Sequence, residues 1–198
     1  MRGLLILACC LMLAACFPAG KRGSQSALAV YDFGPPAPVA SATALHDLLA
    51  LEVRAPLWMD GLDISYRLLY AEPARLREYT QARWAGPPAQ LIQQRLSRQL
   101  GARPSGQGGA PCVLRVDIDE FVQTFTGAAT SQGLLQGRAQ LLDRRRTLLQ
   151  SYEFRVEKPA PWPDARGGVA ALTAAVDQLA LDLAAWERSL KGKPACPA

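Results

Sequence analysis

Apolar positions in the first third of the chain fall in short runs separated by proline and glycine, a pattern typical of β-strands. Runs at 28–33, 48–54 and 64–70 each predict a strand, because proline or a turn-forming glycine lies beside each run. The segment 74–85 has no clear period and is interpreted as a helical turn. A sheet is therefore expected to begin close to residue 28.

The middle of the chain contains the strongest strand signal, at 112–125. Every second side chain from Cys112 is apolar for four steps, so this side of the strand is predicted to face the core. The residues that share this parity are Cys112, Leu114, Val116, Ile118 and Glu120. The segments 133–142 and 147–156 predict a hairpin, which makes the last three strands an antiparallel meander.

Two segments have the 3.6-residue period of a helix. Pro87 and Pro88 can open the first helix, and Gly101 is a plausible end for it. The second helix has a continuous apolar stripe that we expect to be core, formed by Val169, Leu172, Val176, Leu179, Leu183, Trp186 and Leu190. These patterns predict one α+β domain, with a mixed or antiparallel sheet of about six strands and two main helices packed on it.

The N-terminus has the features of a bacterial lipoprotein signal. Arg2 precedes an uncharged apolar run at 3–13, which is too short to span a bilayer. Leu-Ala-Ala-Cys then resembles the lipobox, so Cys16 is expected to carry the lipid anchor. Phe17 stands where inner-membrane retention often places Asp, which favours the outer membrane, with the domain in the periplasm. The predicted organisation is a signal peptide at 1–15, the lipidated cysteine and a tether at 16–27, a domain at 28–190 and a tail at 191–198.

Charge and known motifs exclude several classes of function. The chain has a net charge of +5, without the basic stripe that would indicate a nucleic-acid partner. His46, the one histidine, belongs to no catalytic motif, and the 101–106 loop lacks the lysine of a phosphate-binding loop. Asp117 and Asp119 are interpreted as a solvated strand face rather than a calcium site. We therefore expect no catalytic residue, no metal and no cofactor.

Two further features are candidates for interaction and for a covalent link. Arg144, Arg145 and Arg146 could meet an anionic lipid or an acidic partner, although charges at a hairpin turn also serve simply to keep an edge soluble. After processing, Cys112 and Cys196 are the two thiols not committed to lipid. A disulfide between them is expected in an oxidising periplasm if their geometry permits it, and two unpaired cysteines are the alternative.

The stretch 64–100 resembles the ABC-type transport auxiliary lipoproteins, the PqiC-like proteins that accompany MCE-domain transporters. The similarity lies in YRLLY at 66–70, in RWAGPP at 83–88 and in the leucine-rich helix that follows. The resemblance implies that the motif residues in this stretch are structural and not catalytic: Tyr66, Arg67, Arg83, Trp84 and Pro87.

The resemblance implies an auxiliary role in trans-envelope transport of lipid or solvent. The lipoprotein would dock the distal end of an MCE conduit while an inner-membrane ABC transporter supplies energy, and its acyl chains would hold it to the membrane. A homo-oligomer is compatible with the sequence. The alternative is a structural lipoprotein of another envelope assembly, such as lipopolysaccharide or efflux machinery, and a periplasmic hydrolase is a more remote one.

Overall fold

The computed structural model describes residues 27–35, 49–104 and 110–190. Within them an eight-stranded mixed sheet and two α-helices form the α+β fold that the sequence predicts. The elements in chain order are β1 (Ala29–Tyr31), β2 (Leu49–Arg54), a 3-10 turn (Leu57–Met59), β3 (Asp63–Leu68), β4 (Glu72–Trp84), α1 (Pro88–Leu100), β5 (Arg103–Pro104), β6 (Cys112–Gly127), β7 (Thr130–Asp143), β8 (Leu148–Pro159) and α2 (Ala165–Ser189).

The long strand β6 organises the sheet. On one side β2 lies parallel to its first half, and β3 lies parallel to its last residues. On the other side β7 runs antiparallel along its whole length, followed by β8, so the predicted meander is confirmed. The sheet continues beyond β3 through antiparallel β4 to the short parallel strand β1.

The prediction of a helical turn at 74–85 is wrong. These residues belong to β4, which pairs with β3 on one side and with β1 on the other. Most side chains of β4 are exposed or half-buried, so no apolar alternation marks it as a strand. Its conformation is decided by the backbone hydrogen bonds of its two neighbours, which local sequence does not encode.

The predicted inward face of β6 is correct only up to Ile118. A β-bulge between Ile118 and Glu120 shifts the alternation by one residue. Phe121 therefore faces the core, whereas Glu120 turns to the other side and pairs with Arg67 at 3.3 Å. One extra residue in the strand thus reverses the predicted orientation of Glu120.

Both helices begin where the sequence indicates and pack on the same face of the sheet. Pro88 opens α1, and Gly101 closes it with a left-handed φ of 64°. In α2 the predicted stripe is buried except for Trp186, which is half-buried and stacks on Tyr152. This helix is long and apolar enough to cross a membrane by composition, but its apolar side is core.

A buried ion pair joins the two helices. The Arg95 side chain of α1 meets Asp177 of α2 through two hydrogen bonds of 2.7 and 2.8 Å. The same guanidinium donates to the carbonyl oxygens of Phe33 and Gly34, just beyond β1. Three separate segments of the chain are therefore fixed by one side chain, which is 94% buried by the fold.

Cys112 lies in the core at the start of β6 and forms a disulfide bond. No other cysteine is among the described residues, and Cys196 lies outside them. Pairing between Cys112 and Cys196 therefore stays a prediction.

Thiol counting tests this pairing. Mature protein from the periplasm, denatured without reductant, is expected to show no free thiol, because Cys16 is predicted to be lipidated and the other two cysteines bonded. Cys112→Ser and Cys196→Ser should each expose one thiol. Two free thiols in the unaltered protein, or a mapped bond to a different cysteine, would contradict the pairing.

Candidate docking surfaces

The motif residues of the 64–100 stretch mainly build the core. The Trp84 ring is almost fully buried and lies edge-on to Phe33, with ring centroids 5.4 Å apart. It also contacts Phe121 at 5.7 Å, beyond the bulge in β6. Pro87 precedes the first turn of α1, where its fixed φ suits the entry to a helix. These residues hold β4 and α1 in place rather than forming a reactive site.

The two arginines of the same motif are placed differently. Arg67 is half-buried between Glu120 and the carbonyl oxygen of Ala74, to which it donates at 3.4 Å. Arg83 is exposed near the end of β4 and has no ion pair to another described residue. Arg67 therefore acts in packing the sheet, and Arg83 is available at the surface.

The sheet face opposite the helices is polar. Along β7 and β8 it has charged side chains at alternate positions, and Arg138 pairs with Glu153 at 3.0 Å. Arg155 donates to Gln136 at 2.6 Å and also contacts Glu157. Exposed pairs of this kind add little stability, but they keep a broad sheet face in water. Along β7 and β8 this face is therefore suited to contact with water.

Glu52 on β2 is the most heavily paired carboxylate among the described residues. It accepts hydrogen bonds from Arg54 at 2.6 Å and from Arg146 at 2.5 Å. Burial is the largest single influence and would raise the pKa of Glu52, but the hydrogen bonds and the positive charges of Arg146 and Arg54 together outweigh burial and lower it. Glu52 is thus ionised and links β2 to the turn between β7 and β8.

The arginine run at this turn is only partly free. Asp143 Oδ1 accepts hydrogen bonds from the backbone N–H groups of Arg145 and Thr147, both at 2.8 Å, which fixes the turn. Arg146 has a left-handed φ of 64°, and its side chain forms an ion pair with Glu52. Arg144 and Arg145 are exposed and form no ion pair with another described residue, so a partner could meet two of the three charges.

Asp117 and Asp119 lie on β6 without the further carboxylates that a calcium site needs nearby in the described part of the chain. No group of three candidate ligands is close enough to hold an ion among the described residues. Asp117 lies opposite Arg138 in the sheet, but Arg138 forms its ion pair with Glu153. Burial raises the pKa of Asp117, while Arg115 and Arg54 oppose that shift.

An exposed apolar tip between β2 and β3 was not predicted from the sequence. Leu57 and Trp58, in the 3-10 turn between β2 and β3, are 87% and 49% exposed, while the adjacent Met59 is buried and anchors the turn. Adjacent exposed large apolar side chains often mark an interaction site. The local sequence signal, apolar residues between Pro56 and Gly61, also fits an ordinary buried turn, so only the exposure identifies it.

The sequence profile of the family described as ABC-type transport auxiliary lipoprotein component matches residues 31–184. This chain belongs to that family. The match covers the sheet and nearly all of α2, so the expected resemblance is confirmed. The family description makes this chain an auxiliary lipoprotein component of ABC-type transport.

Solved structures share the fold. A protein from Xanthomonas campestris of the DUF330 family is 21% identical and has a TM-score of 0.62, over 80% of this chain and 90% of its own. An uncharacterized protein is 19% identical with a TM-score of 0.63, over 81% of this chain and 98% of its own. At these identities the likeness shows the fold alone. No curated protein matches the chain.

A cleft of about 350 Å³ opens between the end of β1 and α1 of this auxiliary lipoprotein. Asp32, Gly34, Gly86, Leu91 and Arg95 are among its lining residues. The Arg95 guanidinium already binds Asp177 and two backbone carbonyls, so it is not available to a ligand.

Three residues considered from sequence lie outside the described residues: Cys16, His46 and Cys196.

Proposed function

We propose that this protein is an outer-membrane-anchored periplasmic lipoprotein that docks the MCE conduit of an ABC-type lipid or solvent transporter, and that it acts by binding and not by catalysis. The observation that carries this proposal is the family match over residues 31–184. The anchor is Cys16, and the absence of Asp after it supports the outer membrane. More than one acyl chain gives stable attachment.

The docking contact that we infer is the tip formed by Leu57 and Trp58. The tip is rigid at its base, because the N–H of Met59 donates to the carbonyl of Pro56 at 2.9 Å and the N–H of Asp60 donates to that of Leu57 at 3.1 Å. An apolar side chain that is pre-positioned in this way loses little entropy on binding. An apolar opening at the distal end of a conduit is chemically suited to receive it.

Capture from detergent-solubilised membranes tests the proposal. The lipidated protein is expected to recover an MCE protein, and Leu57→Asp should abolish most of that recovery because it places a charge in an apolar contact. Leu148→Asp is the matched control, since Leu148 is also exposed but lies at the start of β8. It should capture the partner as well as the unaltered protein does.

Two outcomes would count against parts of this proposal. Recovery of lipopolysaccharide or efflux components in place of an MCE protein would favour the alternative function. Recovery of the MCE protein by both leucine variants alike would preserve the function but remove the tip from the docking contact.

A further inference from the structure

One end of the sheet is rich in aromatic side chains. Leu69 and Tyr70 are exposed in the turn between β3 and β4, and Trp162 is exposed just before α2. Two backbone hydrogen bonds hold these segments to β6 and β7: Leu69 N–H donates to Phe125, and Ala160 N–H donates to Ser131, both at 2.9 Å. We call Leu69, Tyr70 and Trp162 the aromatic end.

A layer of half-buried and buried rings supports the aromatic end. Tyr66 lies 4.7 Å from Tyr79 and 5.8 Å from Phe125, between ring centroids. The Tyr79 hydroxyl donates to Gln123 Oε1 at 2.8 Å, and burial, with smaller effects of Tyr66 and Asp164, raises the pKa of Tyr79. The segment containing Trp162 lies beside this layer, because a Cβ atom at Gly167 would lie 1.9 Å from the Trp162 carbonyl oxygen and one at Gly168 would lie 2.1 Å from Gln123 Oε1.

The exposed residues have the amphipathic character of a membrane interface. Tyr and Trp concentrate at the level of lipid headgroups, where the ring is partly in the apolar phase and the polar atom is hydrated. The Arg166 guanidinium lies 4.7 Å over the Trp162 ring. Arg75, at the start of β4, is exposed and pairs with the exposed Glu72 at 3.3 Å. Both cations are placed where they could contact lipid phosphates.

The direction of β1 points to the same end. Because β1 is parallel to β4, the chain followed backwards from Ala29 runs in the same direction as β4 followed backwards from Ala82, towards Tyr79 and then the turn with Tyr70. Eleven residues lie between Cys16 and Leu28, so Leu28 is twelve Cα-to-Cα steps from Cys16. An extended chain of that length reaches about 40 Å, which is enough for Cys16 to lie in a bilayer at the aromatic end.

The opposite end of the sheet is different in chemistry. It holds the turn with Arg144 and Arg145, next to the start of β6. The 16 residues of β6 separate this turn from the aromatic end by about 50 Å, at roughly 3.3 Å per residue. The two ends therefore cannot lie on the same membrane surface at once when the strand stands upright.

We propose that Leu69, Tyr70 and Trp162 rest on the phospholipid surface in which Cys16 is anchored, so that the sheet stands on the membrane and the arginine turn projects away from it. This inference rests on the lipidation of Cys16, which is part of the proposed function. In this orientation Arg144 and Arg145 contact an acidic protein surface and not lipid.

Tryptophan quenching tests the orientation, because Trp162 and Trp58 are equally exposed, at 47% and 49%, on different parts of the molecule. The lipidated mature protein is placed in vesicles of phosphatidylethanolamine and phosphatidylglycerol that have bromine atoms on their acyl chains near the headgroups. Fluorescence should be quenched relative to unbrominated vesicles. Trp162→Phe should lose most of the quenching, and Trp58→Phe should keep it.

Other outcomes overturn the proposal in distinguishable ways. If the protein floats with the vesicles and a Cys16→Ser variant does not, but Trp162 remains unquenched, the anchor is correct and the orientation is wrong. If the unaltered protein does not float with the vesicles, both the anchor and the orientation fail. If Trp162 is shielded from aqueous iodide only after an MCE protein is added, the aromatic end is a protein interface.

Discussion

Leu179→Asp is expected to unfold the domain or to lower its free energy of unfolding by about 5 kcal/mol. Leu179 lies in the middle of α2 with no exposed surface, against the inner face of the sheet. The change removes apolar burial, which for leucine is worth about 2–5 kcal/mol when a cavity remains. It also buries a carboxylate that has no partner, at a further cost. Domains of this size commonly have only about 5–15 kcal/mol of stability.

Leu181→Asp provides the control for this change. Leu181 belongs to the same helix, two residues along, and is 50% exposed. Its replacement creates the same charge at a similar place in the helix, so we expect a loss of less than about 0.5 kcal/mol. Thermal melting followed by circular dichroism measures both variants. Equal melting temperatures would show that the apolar stripe does not form the core.

Asp177→Ala is expected to cost about 3 kcal/mol. The change leaves the buried Arg95 guanidinium without its charge partner and removes the acceptor that Gln99 Nε2 uses at 2.6 Å. Breaking a buried ion pair from one side costs about 3–5 kcal/mol. We expect the lower end of that range because the Asp177 side chain is 31% exposed, which lets water reach the vacated position.

Two variants separate the ion pair from general damage to the helix. Asp182→Ala removes a carboxylate whose one hydrogen bond within the described ranges comes from Gln178, at 3.0 Å, and should cost less than about 1 kcal/mol. The double change Arg95→Met and Asp177→Leu should recover much of the loss, because no charge is then left unpaired. Urea unfolding measures all of these variants. A double variant as unstable as Asp177→Ala would show that the charge pair itself is not the cause.

The same ion pair also holds the chain near the start of the domain, on the side of the proposed anchor. Arg95 binds Phe33 and Gly34 after β1, and β1 is the strand that leads back towards Cys16. Only three residues of β1 pair with β4. The contacts of Arg95 therefore attach this short edge strand to the domain at a second point. This attachment would resist force transmitted through the tether.

The sequence by itself was sufficient wherever a local period or a backbone constraint determined the structure. The inner face of α2 follows from the spacing of its leucines and valines, and the bounds of α1 follow from Pro88 and Gly101. The last three strands were predicted as a meander because 112–125 alternates and the next two segments form a hairpin around a short charged turn, and the pairing of these strands confirms it. The structural role expected for Trp84 and Pro87 came from the family resemblance and not from a local period.

Tertiary structure decided what depends on contacts distant in sequence. β4 is a strand because β3 and β1 supply its hydrogen bonds, and the bulge in β6 turns Phe121 inwards against Trp84 and Phe33. The pairing of Arg95 with Asp177 joins residues 82 apart. Exposure of Leu57 and of Trp162 follows from which surfaces the helices leave uncovered, since an apolar side chain looks the same in sequence whether it is buried or free.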